Sequence, residues 1–328
     1  MNKAIPIKLE RVKIPRTTRV VEWRLGNTCN FDCSFCTPEF KDGTRRYLEY
    51  STYIKLINNL IEADPSKKIW FQINGGEPTL YPKLIELLTY IKAKGGYTSM
   101  FSNGSRTTRW WKELANLNLL DRLYLSYHPE QDKSTDHIIE VNNIMQVTNT
   151  LVTIFVTTQS DSVLFQKAVD SQNEIYAKAL SISSLKPITI LGVNTLQPYT
   201  PEQLEIIQKN LYVRSKGWQT ISARKSVYLK TVPFYNSDVT ITYSNQTTKT
   251  ESAQFFIESN ETNFKDWECD IGINTLFIDV NNVYRGQCRQ GETVEAVSED
   301  TTFRKDPIIC KTEQCMCAFD VQEPKRMV

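Results

Sequence analysis

Between residues 20 and 210, short apolar runs alternate with segments whose apolar residues recur at helical spacing. Val20–Leu25, Lys68–Asn74, Tyr97–Ser102, Leu120–Ser126, Leu151–Thr157 and Leu180–Ser184 are predicted strands. Ser51 is the expected N-cap of a helix carrying Ile54, Ile57, Leu60 and Ile61. A second helix carries Leu84, Leu87, Leu88 and Ile91 and stops at Gly95-Gly96. Further helices are predicted over Arg109–Leu117, His137–Val147, Val163–Ala177 and Pro201–Asn210, the last opened by a capping box from Thr200 to Gln203. Strands separated by helices of this length form parallel βα units, and six of them suit a doubly wound sheet or a partial barrel.

After about residue 212 the texture changes. Ser, Thr and Asn become frequent, as in YNSDVTITYSNQTTKTE, which is expected to form a polar hairpin. Asn274–Val280 is a predicted strand, with Asn281-Asn282 as the turn into Val283–Gly286. A boundary near 212 divides the chain into an N-terminal extension (1–19), a βα part (20–211) and a C-terminal part (212–328). The net charge of +2 gives no general case for nucleic acid or membrane binding. No apolar run approaches the roughly 18–20 residues of a membrane span. The basic N-terminus has an apolar run too short for a signal peptide, so the expected compartment is the cytoplasm. There, eight cysteines read as thiols or metal ligands rather than disulfides, and only two histidines, His128 and His137, are available for mixed sites.

Three of those cysteines form Cys29-x3-Cys33-x2-Cys36, directly after the first predicted strand. In a parallel α/β fold, loops at the carboxyl ends of strands build the active-site face. Three thiolates on one loop can hold three irons of a [4Fe–4S] cube and leave the fourth open for chemistry. The competing reading is a structural zinc completed by a distant Cys or His.

The chain here resembles the radical S-adenosylmethionine (SAM) superfamily, whose signature is Cys-x3-Cys-x2-Cys with an aromatic residue before the third cysteine, as Phe35 is. The resemblance implies that SAM chelates the open iron and is cleaved to a 5′-deoxyadenosyl radical that takes a hydrogen atom from substrate. It implies a role for Phe35 near the adenine. Gly75, Gly76, Glu77 and Pro78 match the family's GGEP motif, which meets the SAM amino group, and Glu77 suits an ammonium. Ser102 and Asn103 in FSNGS, and Ser126 and His128 in YLSYHPE, end later strands where the family places SAM contacts. Against these stand ordinary readings: a turn that needs Gly104, and a solvated loop histidine. Thr157, Thr158 and Leu185 are positional candidates beyond them. The implied fold is a partial (β/α)6 TIM-like barrel with a smaller C-terminal α+β cysteine-rich domain.

The other five cysteines are Cys269, Cys288, Cys310, Cys315 and Cys317. Cys269 and Cys288 bracket a predicted strand, turn and strand, which resembles the SPASM and twitch extensions that carry auxiliary [4Fe–4S] clusters. A full SPASM domain has seven cysteines; five ligate one cluster with one thiol to spare, so the shorter twitch-like form is favoured. A zinc ribbon would normally show two Cys-x2-Cys pairs, which the 269/288 spacing lacks.

The resemblance implies hydrogen abstraction without naming the product: dehydrogenation, crosslinking or epimerisation of a small molecule or peptide, with electrons from a flavodoxin- or ferredoxin-type donor. Peptide-modifying members often begin with a leader-binding domain. Only 28 residues precede Cys29, which lowers the expectation of a ribosomal peptide. Trp110 and Trp111 are expected to pack rather than face substrate. Two other classes make different demands on the sequence. A zinc-dependent nucleic-acid-binding protein predicts basic residues around the cysteines, yet residues 29–40 carry Asp32 and Glu39, with Arg24 and Lys41 only at the flanks. A non-catalytic iron–sulfur electron carrier would ligate every iron, against which the three-cysteine loop argues.

Overall fold

The computed structural model describes residues 5–12, 18–190, 195–211, 213–216, 238–286, 288, 294–298 and 300–328. The expected boundary at 212 lies outside the described residues. In chain order the elements are β1 (Pro6–Arg11), β2 (Thr18–Arg24), α1 (Tyr50–Glu62), β3 (Lys68–Asn74), α2 (Leu84–Ala93), β4 (Tyr97–Ser102), α3 (Thr108–Leu117), β5 (Arg122–Tyr127), α4 (Asp136–Gln146), β6 (Leu151–Thr158), α5 (Ser162–Lys178), β7 (Ile182–Pro187), α6 (Pro201–Lys209) and β8 (Val213–Arg214). The C-terminal part adds β9 (Asp238–Tyr243), β10 (Thr248–Ser252), α7 (Ala253–Glu258), β11 (Glu268–Cys269), β12 (Thr275–Asp279), β13 (Asn282–Tyr284), β14 (Glu295–Ala296), β15 (Ile308–Ile309), α8 (Ala318–Val321) and β16 (Lys325–Arg326). Among the described residues, no helix is long and apolar enough to cross a membrane.

The chain divides into two compact units with interleaved sequence. One comprises Arg24–Tyr47 and Gln72–Val232. The fold is α/β with parallel strands: β4, β5, β6 and β7 pair in parallel order, and β8 runs antiparallel to β7. Side chains alternate across the strands. Met100, Leu123, Leu125, Ile154 and Val156 are fully buried. On the other face Phe101, Tyr124 and Phe155 stack side by side, with ring centroids 4.4 and 5.7 Å apart. The Thr200–Gln203 capping box is present at α6. Trp111 is buried and its indole N–H donates to the Gly104 carbonyl, so packing claims that ring as expected. The seventh strand starts two residues later than the periodicity suggests, because Leu180 and Ser181 complete the turn after α5.

The other unit comprises Met1–Trp23, Leu48–Phe71 and Pro233–Val328. Its sheet has the order β10-β9-β1-β16-β11-β15. The expected polar hairpin is β9–β10. The expected N-terminal extension supplies a central strand instead: β1 pairs antiparallel with both β9 and β16, and Leu9 lies opposite Ile241 and Lys325. Two local expectations need correction. Glu49, not Ser51, is the N-cap of α1, and Ser51 sits inside the first turn. The β12–β13 turn is Val280-Asn281, since Asp279 pairs with Asn282. Val280 takes φ 57°, a rare conformation for a β-branched residue.

Candidate active site

The cysteine loop leaves β2 and is braced from inside by Asn27, whose buried side chain donates to Glu39 O (3.0 Å) and Asp42 Oδ1 (2.7 Å) and accepts from Arg45 N (2.9 Å). Cys29 and Cys36 are half-buried and Cys33 is buried. A turn closes with Cys36 N donating to Cys33 O at 3.1 Å, and Lys41 Nζ donates to the same carbonyl at 2.8 Å. Burial raises the pKa of all three thiols, that of Cys33 to about 12, with the Glu130 carboxylate adding to the shift. The metal-free thiols therefore hold their protons at neutral pH, and a metal must displace them.

The Gly-Gly-Glu turn after β3 is stitched to the chain entering that loop. Gly76 N donates to Gly26 O (3.1 Å) and Glu77 N to Thr28 O (2.8 Å). A Cβ at Gly75 would lie 2.5 Å from Gly26 O, and one at Gly76 2.2 Å from Thr28 O. Gly75 also has φ 145°. The glycine pair thus permits close approach of backbone to backbone, one residue before Cys29.

Glu77 is almost wholly buried and organises the next loop. It accepts from Thr79 N (3.1 Å) and Ser102 Oγ (2.7 Å) on Oε1 and from Asn103 N (2.7 Å) on Oε2. Burial raises its pKa and these donors oppose the rise. A carboxylate has about four lone-pair directions, so Oε2 keeps acceptor capacity. Asn103 Nδ2 donates to Asn30 Oδ1 (3.0 Å), tying the third loop back to the cysteines.

A fourth loop follows β5. His128 Nδ1 lies 3.5 Å from Cys33 Sγ, and its ring stacks on Phe35 with centroids 5.9 Å apart and meets the edge of Phe31 at 5.6 Å. Burial lowers its pKa to about 4, with Lys186 contributing. Glu130 accepts from Ser34 N (3.0 Å) and from Gln159 Nε2 (3.1 Å).

One cavity of about 410 Å³, within the roughly 300–1,000 Å³ range of small-molecule sites, is lined by Cys29, Cys33, Cys36, Phe35, Gly75, Gly76, Glu77, Ser102, Asn103, Ser126 and His128. Pro78 is not among its walls and instead opens a short 3-10 turn. Thr157 lines it, whereas Thr158 bonds to Lys186 O and Leu185 is buried in the core; Ile188 is an apolar residue of the lining. Glu130 and Lys186 carry no motif and went unrecognised in the sequence. Lys186 lines the cavity, with Nζ 5.0 Å from the Phe155 ring.

The C-terminal cysteines lie in the other unit. Cys269, Cys310 and Cys315 are buried in one apolar cluster with Leu9, Ile241, Phe256 and Phe264, and Cys288 packs against it. Cys317 is half-buried, outside that cluster, at the N-cap of α8. Cys288 N donates to Asp320 Oδ2 at 2.6 Å. Lys325, fully buried, pairs in register with Cys269 and donates to the carbonyls of Asp320 (2.6 Å), Glu323 (2.9 Å) and Val321 (3.3 Å). Burial raises the Cys269 thiol to about 11 and Cys315 to about 12. Among the described residues, no three His, Cys, Asp or Glu side chains converge to hold a single metal ion. A cubane asks less, because each thiolate binds its own iron.

Residues 23–151 match the family model of the radical SAM superfamily. A SAM-dependent nucleotide dehydratase from Thermoplasmatales archaeon (strain ISO4-H5) is 33% identical over 100 residues, 29% of this chain and 34% of that protein. The GTP 3′,8-cyclase of Lactiplantibacillus plantarum is 31% identical over 134 residues, 39% of each chain. The matched region spans less than two-fifths of either relative. In fold, the chain is similar to Streptococcus suis SuiB bound to precursor peptide SuiA, with TM-score 0.50, 14% identity, and coverage of 87% of this chain and 63% of that one.

Proposed function

Because residues 23–151 match the radical SAM superfamily, we propose that this chain is a radical SAM protein that binds a [4Fe–4S] cluster through Cys29, Cys33 and Cys36, holds SAM in the same cavity, and abstracts a hydrogen atom from a substrate admitted there. The family implies the cluster and SAM. The observation that carries the reading is convergence: three thiols, the Gly-Gly-Glu turn and the Ser102–Asn103 loop line one cavity although they come from three different strand ends. When bound, the cluster supplies the electron that cleaves SAM to methionine and a 5′-deoxyadenosyl radical.

The chain's own residues do the rest. Glu77 would accept from the SAM ammonium while its Oε1 keeps Ser102 in place. Phe35 offers an apolar face for the adenine, with Ile188 on the same cavity wall. The cationic Lys186 suits an anionic group of SAM or substrate. Cys269, Cys310 and Cys315, buried in one apolar cluster, and Cys288, packed against it, would hold an auxiliary cluster, with Cys317 close to Cys315 as the thiol to spare. In sequence terms, SAM chemistry falls to residues 20–211 and the auxiliary centre to 212–328.

The substrate is a small molecule or a peptide: the curated relatives are named for nucleotide and GTP chemistry, and the fold neighbour was solved with a precursor peptide. Reduction by a flavodoxin- or ferredoxin-type donor in the cytoplasm, with no nucleic-acid or membrane partner, completes the reading.

Anaerobic reconstitution with iron and sulfide tests it. The expected product holds about eight irons per chain, as two cubanes require, and forms 5′-deoxyadenosine from SAM under reduction. A chain that takes up zinc but no iron, or that carries iron without cleaving SAM, would refute the proposal.

A further inference from the structure

The resemblance places His128 among the SAM contacts, and the residue does line that cavity, but one ring nitrogen has a different partner. Its Nδ1 faces the sulfur of Cys33 at 3.5 Å. The ring is gripped by the same loop it touches: Phe35 stacks on it at an interplanar angle of 12°, and Phe31 meets it edge-on at 89°. Its backbone is also held, since His128 N donates to Asp132 Oδ2 at 2.8 Å and Gln131 N and Asp132 N return to His128 O. Next to it, Glu130 pins Ser34 N and Gln131 accepts from Asp32 N. The β5–α4 loop therefore clasps residues 31–35, and the imidazole is the part of the clasp that reaches a sulfur.

A thiolate bound to iron can only accept a hydrogen bond, so a ring nitrogen facing it must carry the proton. Hydrogen bonds to the ligand sulfurs draw off negative charge and favour the reduced, more negative state of an iron–sulfur cluster, which raises its reduction potential. We propose that His128 is a positioning residue that donates Nδ1–H to the Cys33 sulfur and sets the potential of the cluster held by Cys29, Cys33 and Cys36. The inference rests on the cluster reading above and on no titration of the imidazole.

The test uses the reconstituted full-length chain, iron analysis, SAM binding, and a redox titration followed by electron paramagnetic resonance. The centre to follow is the signal that changes when SAM is added. His128→Phe keeps the stacking ring and removes the N–H. It should retain the iron and shift the midpoint of that signal to a more negative potential. His128→Asn, whose amide nitrogen takes the place of Nδ1, should recover part of the shift. An unchanged midpoint in iron-replete His128→Phe overturns the proposal. So does weakened SAM binding at an unchanged midpoint, which would return His128 to the SAM contacts. If His128→Phe loses its iron, the Asn variant decides: iron and potential kept by Asn support donation to sulfur, and iron lost from both shows a merely structural clasp. Absence of any SAM-responsive signal in the parent would sink the function proposed above and is distinguishable from all of these.

Discussion

The two groups of cysteines in this protein are built in opposite ways. Cys29, Cys33 and Cys36 come from eight consecutive residues, sit on a loop, and line an open cavity. Cys269, Cys288, Cys310 and Cys315 come from a stretch of 47 residues and meet in an apolar interior beside a buried lysine. The first group depends on backbone hydrogen bonds that hold one loop in shape. The second depends on strand register, with Cys269 set opposite Lys325 by β11–β16 pairing. A loop whose three thiols line a cavity leaves room for a reacting ligand; thiols gathered in an apolar cluster do not. Burial raises thiol pKa values in both. Each also has a cation to offset the charge that ligation would place there: a half-buried one, Lys41, beside Cys33 and Cys36, and a wholly buried one, Lys325, beside Cys269 and Cys315.

The largest expected effect is on the open site. Changing Cys29, Cys33 and Cys36 together to Ala should remove about half the iron and abolish 5′-deoxyadenosine formation, while the interior site keeps its share. Full iron retention would erase the distinction between the two groups.

Gly76→Val should act almost as strongly, because its Cβ would meet Thr28 O at 2.2 Å and displace the chain one residue before Cys29. Loss of SAM binding together with the open site's iron is expected. Retention of both would show that this turn yields without cost.

A finer test separates Cys315 from Cys317. Cys315→Ala should lose the interior iron, and Cys317→Ala should keep it. Equal loss from both variants would mean that the buried cluster does not define the ligand set.

The smallest effect is on stability. Lys325→Met leaves three backbone carbonyls without their charged donor, and should lower the unfolding free energy of the metal-free chain by about 2 kcal/mol. Denaturant titration measures it, and a change below about 0.5 kcal/mol would show that the interior site does not need its cation.

Much of the fold was legible because period and punctuation agree. The α6 capping box, the β3 and β4 bounds and the packing of Trp111 all follow from local sequence. β1 was missed: Ile7 and Leu9 alternate with Lys8 and Glu10, a pattern too short beside Pro6 to mark a central strand, and its place comes from β9 and β16 on either side. So was the N-cap of α1, where backbone bonds from Thr52 and Tyr53 to Glu49 O overrule the better capping side chain at Ser51. In the site, the cysteines and the Gly-Gly-Glu turn announced themselves through spacing. Glu130 and Lys186 did not, since a lone charge in a loop or at a strand end looks the same whether it grips a neighbour or faces water.

Contiguous chemistry was therefore settled in the primary structure: three thiols on one loop, a glycine turn after the next strand, a run of βα units. Which groups meet across loops was settled only in three dimensions. Glu77 gathers Ser102 and Asn103, His128 turns to Cys33, and Cys315 is buried while Cys317, two residues on, begins a helix. The physical reason is register and pleat. A side chain's face depends on a period of two along each strand, and its neighbours on how strands far apart in sequence align, so a shift of one residue would send each of these groups elsewhere.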